Sequence, residues 1–71
     1  LLYPLPDRLE AYLREAAPDG VFRESLTGTA ELLGASYRHL LRTLRAFERE
    51  GRVRRVRGGY ALSRTGPPGP L

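Results

Sequence analysis

The sequence predicts an α+β fold of three helices followed by a C-terminal β-hairpin. Three observations predict it: apolar residues at helical spacing in successive stretches, a short glycine-led gap before the third stretch, and two short strand-like runs flanking Gly58-Gly59. In the first helix Leu9, Tyr12, Leu13 and Ala16 recur at i, i+3, i+4 and i+7. Pro6 and Asp7 stand at its start and Pro18-Asp19-Gly20 beyond its end, so about ten residues are expected. Val21-Phe22-Arg23 reads as a short extended stretch. Ser25 can cap a second helix whose Leu26, Ala30 and Leu33 share one face, and Gly34 stops it. Only Gly34, Ala35 and Ser36 separate it from the next helix, which leaves room for nothing but a tight turn between two steeply angled helices. That arrangement is a helix-turn-helix.

Ser36 is a suitable N-cap for the third helix, which should run over about 36–50 before Gly51 ends it in a left-handed conformation. At about 100° per residue, Leu40, Leu44 and Phe47 gather on one side, while Arg38, Arg42, Arg45 and Arg49 lie within about 60° of one another on the opposite side. The helix therefore has a core face and an arginine face. From Arg52 to Ser63 two short stretches flank Gly58-Gly59, a dipeptide suited to the positive φ angles of a two-residue turn, and a hairpin in this place makes a wing. Val53 and Val56 cannot both face the core of a regular strand, which predicts a bulge or an irregular start. Leu9, Tyr12, Leu13, Leu33, Leu40, Leu44, Phe47 and Leu62 are assigned to the core, with Tyr60 covering the third helix. Residues 1–64 thus form one domain, and 65–71, Thr65-Gly-Pro-Pro-Gly-Pro-Leu71, are expected to be a disordered tail.

Composition narrows the function. A chain of 71 residues supports one small core. With no cysteine and one histidine it can assemble neither a disulfide framework nor a multi-ligand zinc site. No apolar run approaches the roughly 18 to 20 residues that span a bilayer, and no signal-peptide pattern is present. A soluble, cytoplasmic protein is expected. The apolar opening Leu-Leu-Tyr, with no initiator methionine, suggests a piece of a longer polypeptide. Charge is divided along the chain: residues 1–36 carry three arginines against six acids, or −3, and residues 37–71 carry nine against two, or +7, which together give the net +4. A basic segment of this kind marks a polyanionic partner. The absence of lysine among twelve basic residues is read as the mark of a GC-rich genome.

The site follows from the helix-turn-helix. An α-helix fits the major groove of B-DNA, and the N-terminal residues of the second helix of the motif reach the base edges. Tyr37, Arg38, His39 and Arg42 fall at the groove, and Arg38 and Arg42 are the base-reading candidates, since arginine can offer two donors to the O6 and N7 acceptors of guanine. Tyr37 has two possible settings, its ring against the second helix or its hydroxyl toward DNA. Arg45 and Arg49, farther along the helix, and Arg54, Arg55 and Arg57 on the hairpin suit phosphates, as do Ser36 and the flanking His39. The plainer alternative makes the stripe a solvated face, with Arg45 and Arg49 weakly paired to Glu48 and Glu50. A second functional alternative is a winged helix that docks on an acidic protein partner. Membrane-surface binding ranks last, because the apolar residues of the third helix lie opposite its arginines. His39 has no carboxylate or second ligand nearby in sequence, and no nucleophile elbow or phosphate loop is present, so neither catalysis, a cofactor nor a metal is expected.

At this point the residues resemble the Crp/Fnr family of bacterial transcription regulators. Ala30-Glu-Leu-Leu-Gly-Ala-Ser-Tyr-Arg-His-Leu-Leu-Arg-Thr-Leu-Arg-Ala-Phe-Glu-Arg-Glu-Gly51 looks like that family's stretch from the first helix of the motif through the recognition helix. Gly58-Gly-Tyr-Ala-Leu62 looks like its wing, and Tyr3 to Ala17 like the helix after its hinge. The resemblance covers about 60 residues and looks closest to a subgroup with Ser-Tyr-Arg-His-Leu-Leu in the recognition helix. It implies base contacts at Tyr37, Arg38 and Arg42. Many members carry Arg-Glu where this chain has Tyr37-Arg38, so the implied target differs from the best-known consensus. It further implies an N-terminal effector domain outside this chain with an unassigned ligand, homodimer binding to an inverted repeat in double-stranded DNA, and RNA polymerase as a further partner.

Overall fold

The computed structural model describes residues 3–63, so the expected tail, 65–71, lies outside the described residues. Three helices, α1 (Leu5–Ala16), α2 (Leu26–Leu33) and α3 (Tyr37–Arg49), are joined by a three-stranded antiparallel sheet of β1 (Val21–Phe22), β2 (Val53–Val56) and β3 (Gly59–Leu62). The strand order is β1-β3-β2, so the hairpin is extended by a strand from the first third of the chain. This is the α+β winged helix-turn-helix expected.

Helix α1 has twelve residues, with Pro4 at its N-cap and Pro6 at its second position. It begins one or two residues earlier than expected, because proline in the first turn forfeits no intrahelical hydrogen bond. The extension puts Leu5 in the core with Leu9 and Leu13. Ser25 caps α2 by accepting from the Gly28 N–H at 3.1 Å. At the other end Gly34 takes φ +70° and the Ala35 N–H donates to the Ala30 carbonyl at 2.9 Å, closing the helix within the turn. Ser36 then caps α3 by accepting from the His39 N–H at 3.0 Å, and Gly51, at φ +77°, follows its last turn.

The core joins Leu9, Leu13, Ala17, Phe22, Ala30, Leu40, Leu44, Phe47, Val53 and Tyr60, with Tyr12, Leu33 and Leu62 packed half-buried against it. Thr29 and Thr43 are buried polar residues whose hydroxyls donate to the carbonyls four residues back, Ser25 and His39. Tyr12 and Phe22 meet edge to face, their ring centroids 6.0 Å apart.

Two expectations about the hairpin are corrected. No bulge interrupts it: Val53 pairs with Leu62, Arg54 with Ala61, Arg55 with Tyr60 and Val56 with Gly59 in continuous register. Val53 is buried while Val56, three residues on, takes the opposite face and is half-buried there. The turn is Arg57-Gly58 rather than Gly58-Gly59, because Gly59 already pairs in β3. Only Gly58 has a positive φ, +84°, so the turn lacks the second left-handed residue that a type I′ turn needs. Gly59 is required for a different reason. A Cβ there would lie 1.9 Å from the Phe22 carbonyl oxygen, so only glycine lets β1 approach β3.

Candidate nucleic-acid interface

Helix α3 divides along its length. Leu40, Thr43, Leu44 and Phe47 are buried, and Arg38, Arg42, Arg45 and Arg49 are exposed on the other side. The short turn from α2 and the Ser36 cap fix where this face begins. The stripe runs for about 16 Å at 1.5 Å per residue, long enough to follow a groove about 12 Å wide. Arg38, Arg42, Arg45 and Arg49, with Tyr37 and Leu41, line one shallow concavity. Of the two settings open to Tyr37, the structure leaves it on the surface, 49% exposed, at the N-terminal end of that concavity. Ser36 and His39 are exposed at the same end.

Electrostatics separate these arginines from the others. Arg14 pairs with Glu10 and Arg23 with Asp19, each at 3.0 Å, and Arg52 pairs with Glu10 at 3.2 Å and Glu50 at 2.9 Å. The Arg8 guanidinium donates to the carbonyls of Tyr3 and Leu33. Among the described residues no salt bridge reaches Arg38, Arg42, Arg45, Arg49, Arg54, Arg55 or Arg57. The pairing of Arg45 and Arg49 with Glu48 and Glu50 is therefore absent: the Glu50 carboxylate turns to Arg52, which also stacks 4.7 Å over the Phe47 ring. Four like charges one turn apart, within a Debye length of about 8 Å of their neighbours, add their fields.

The hairpin arginines do not share one surface. Paired residues of an antiparallel ladder lie on the same face, so Arg55 stands with Tyr60 and Val53, and Arg54 stands on the other face with Ala61. The Arg55 guanidinium sits 5.9 Å over the Tyr60 ring. Arg57 occupies the turn between the strands.

Two displaced ionisations belong to the opposite half of the chain. The Tyr12 hydroxyl donates to Glu24 Oε1 at 2.6 Å, and this bond to a carboxylate, with some desolvation, raises the phenol above its ordinary value. Asp19 is held below its ordinary value by the Val21 backbone N–H at 3.1 Å and by the Arg23 guanidinium at 3.0 Å. No group of three or more potential metal-ligating side chains is found among the described residues, and no helix among them is long and apolar enough to cross a membrane.

Comparison with known proteins gives one informative similarity. The chain is 37% identical over 60 residues to the regulatory protein YeiL of Escherichia coli O157:H7, an alignment covering 84% of this chain and 27% of that protein. The chain thus spans about a quarter of the length of the curated relative it matches. No family model and no solved structure matches it.

Two features of the surface lay beyond sequence reasoning. Leu41 was assigned to neither core nor site, yet it is half-buried and lines the arginine concavity. Its spacing of four from Tyr37, next to the arginine stripe, is the signal that could have found it. Arg52 is held by Glu10, which is 42 residues away, and no local pattern announces that pair.

Proposed function

We propose that this chain is the DNA-reading domain of a bacterial transcription regulator of the Crp/Fnr type, with α3 as the recognition helix in the major groove. The observation that carries the reading is the arginine face of α3: four exposed guanidiniums with no carboxylate partner among the described residues, presented just beyond a three-residue turn between two helices. The likeness to a protein named as regulatory supports the same reading. Arg38 and Arg42, in the first turns, grip base edges, chiefly guanine O6 and N7, while Tyr37 stands beside them. Arg45, Arg49 and the N-terminal amides around Ser36, flanked by His39, meet phosphates, and the wing extends that contact through Arg57 at its turn and through Arg54 and Arg55 on its two opposite faces. The chain acts by binding, not catalysis. The intact regulator works as a cytoplasmic homodimer on an inverted repeat, whose half-sites lie about one helical turn apart.

A specific feature favours a second reading, docking on an acidic protein: Tyr37 and Leu41 place apolar surface beside the arginines. Fluorescence anisotropy with a random duplex and with an acidic peptide of equal charge separates the two. DNA reading predicts clearly tighter duplex binding, in the non-specific range of about 10⁻⁴ to 10⁻⁶ M, falling linearly with log salt. Equal binding of duplex and peptide would reject it in favour of the protein partner.

A further inference from the structure

The concavity on α3 is not uniformly cationic. Leu40 is completely buried, but its neighbour Leu41 turns far enough round the helix to reach the arginine side, where it is half-buried among exposed guanidiniums. Tyr37 lies one turn before it, so the two make an apolar edge along the first turns of α3, next to Arg38 and Arg42. A partner that fits this surface is an anion overall and carries an apolar group beside the positions where Arg38 and Arg42 bind. In the major groove of B-DNA the apolar group on offer is the 5-methyl of thymine, which projects beside the acceptors that arginine grips on a neighbouring guanine. On duplex DNA, charge complementarity and groove chemistry agree on this one group.

Building on the DNA-reading assignment above, we propose that Tyr37 and Leu41 form a seat for a thymine 5-methyl group, which makes them specificity-determining residues alongside Arg38 and Arg42. The methyl is read by exclusion of water from an apolar surface, so its loss costs affinity without changing any hydrogen bond.

The test is in vitro selection of random duplexes with this chain, followed by replacement of each enriched thymine with uracil, which removes the methyl and nothing else. The expected result is an enriched thymine next to a guanine, with binding about fourfold weaker when uracil replaces it. Leu41→Ala, with helix content checked by circular dichroism, should bind the thymine and uracil duplexes alike. Equal binding of the two duplexes by the unsubstituted chain overturns the proposal, as does selection without a thymine preference. A methyl effect that persists in Leu41→Ala also overturns it. Salt-dependent duplex binding in any of these cases leaves the DNA-reading assignment standing, whereas absence of duplex binding overturns both.

Discussion

The first third of the chain and the α3 face treat the same side chain in opposite ways. In α1 and the β1 segment, Arg8, Arg14 and Arg23 each find an internal partner, a carbonyl or a carboxylate four or five residues away or on α2. On α3, Arg38, Arg42, Arg45 and Arg49 find none among the described residues, and Arg52, just beyond, is claimed by Glu10 and Glu50. The pairs in the first region are half-exposed and solvent-screened, so each adds little. The unpaired stripe costs something: Arg38 with Arg42, Arg42 with Arg45 and Arg45 with Arg49 are like charges at i+3 or i+4, each pair unfavourable by about 0.2 to 0.5 kcal/mol. The difference teaches that the basic surplus is placed where it slightly weakens the fold, which is intelligible if a polyanion relieves it.

The largest effect is expected where the first third meets the hairpin. Gly59→Ala should destabilise by about 3 kcal/mol in a urea melt, because the new Cβ collides with the Phe22 carbonyl and separates β1 from the wing. A near-neutral result would mean that β1 is dispensable and the first third does not support the hairpin. Next in size, Ser36→Ala should cost about 1 kcal/mol by orphaning the His39 N–H at the head of α3. Arg45→Glu sharpens the comparison from the other side. It replaces two repulsive pairs with two attractive ones, to Arg42 and Arg49, and adds one repulsive pair with Glu48, so thermal unfolding should show stability rising by roughly 0.6 to 1.5 kcal/mol while duplex affinity drops. A variant that gains stability and keeps its affinity would show that the stripe serves no polyanion.

The smallest effect lies in acid. Asp19 titrates below its ordinary value of 3.8 in the folded chain, so its contribution is fully present above that pH and fades as pH falls through the lower folded value. Between about pH 5 and pH 2 the wild type should therefore lose slightly more stability than Asp19→Asn, and identical acid profiles would show that the Val21 and Arg23 contacts do not persist in solution.

Local chemistry made much of this architecture legible. The caps at Ser25 and Ser36, the stop at Gly34 and the left-handed Gly51 are each decided within a few residues, and each stands as read. Contacts between distant segments were not legible. Val21 and Phe22 are two residues whose partners, Ala61 and Tyr60, lie some forty positions on, so their membership of the sheet has no signature of its own. The same strand explains why Gly59 must be glycine, which from sequence looked like turn chemistry. At the site, helical periodicity brought Arg38, Arg42, Arg45 and Arg49 together correctly as a face. It could not tell that Glu50 would turn away from them to Arg52, nor that Leu41 would reach the concavity while Leu40 filled the core.

The most direct test of the central claim is the salt dependence of duplex binding, measured by anisotropy for the wild type and for single alanine variants of Arg42, Arg45, Arg14 and Arg23. The account predicts that Arg45→Ala lowers the slope of log K against log salt by about one, and that Arg42→Ala costs about 1 to 3 kcal/mol on a preferred sequence. Arg14→Ala and Arg23→Ala should leave both quantities unchanged. If all four variants behave alike, the unpaired face of α3 is not the surface that meets DNA, and the account fails.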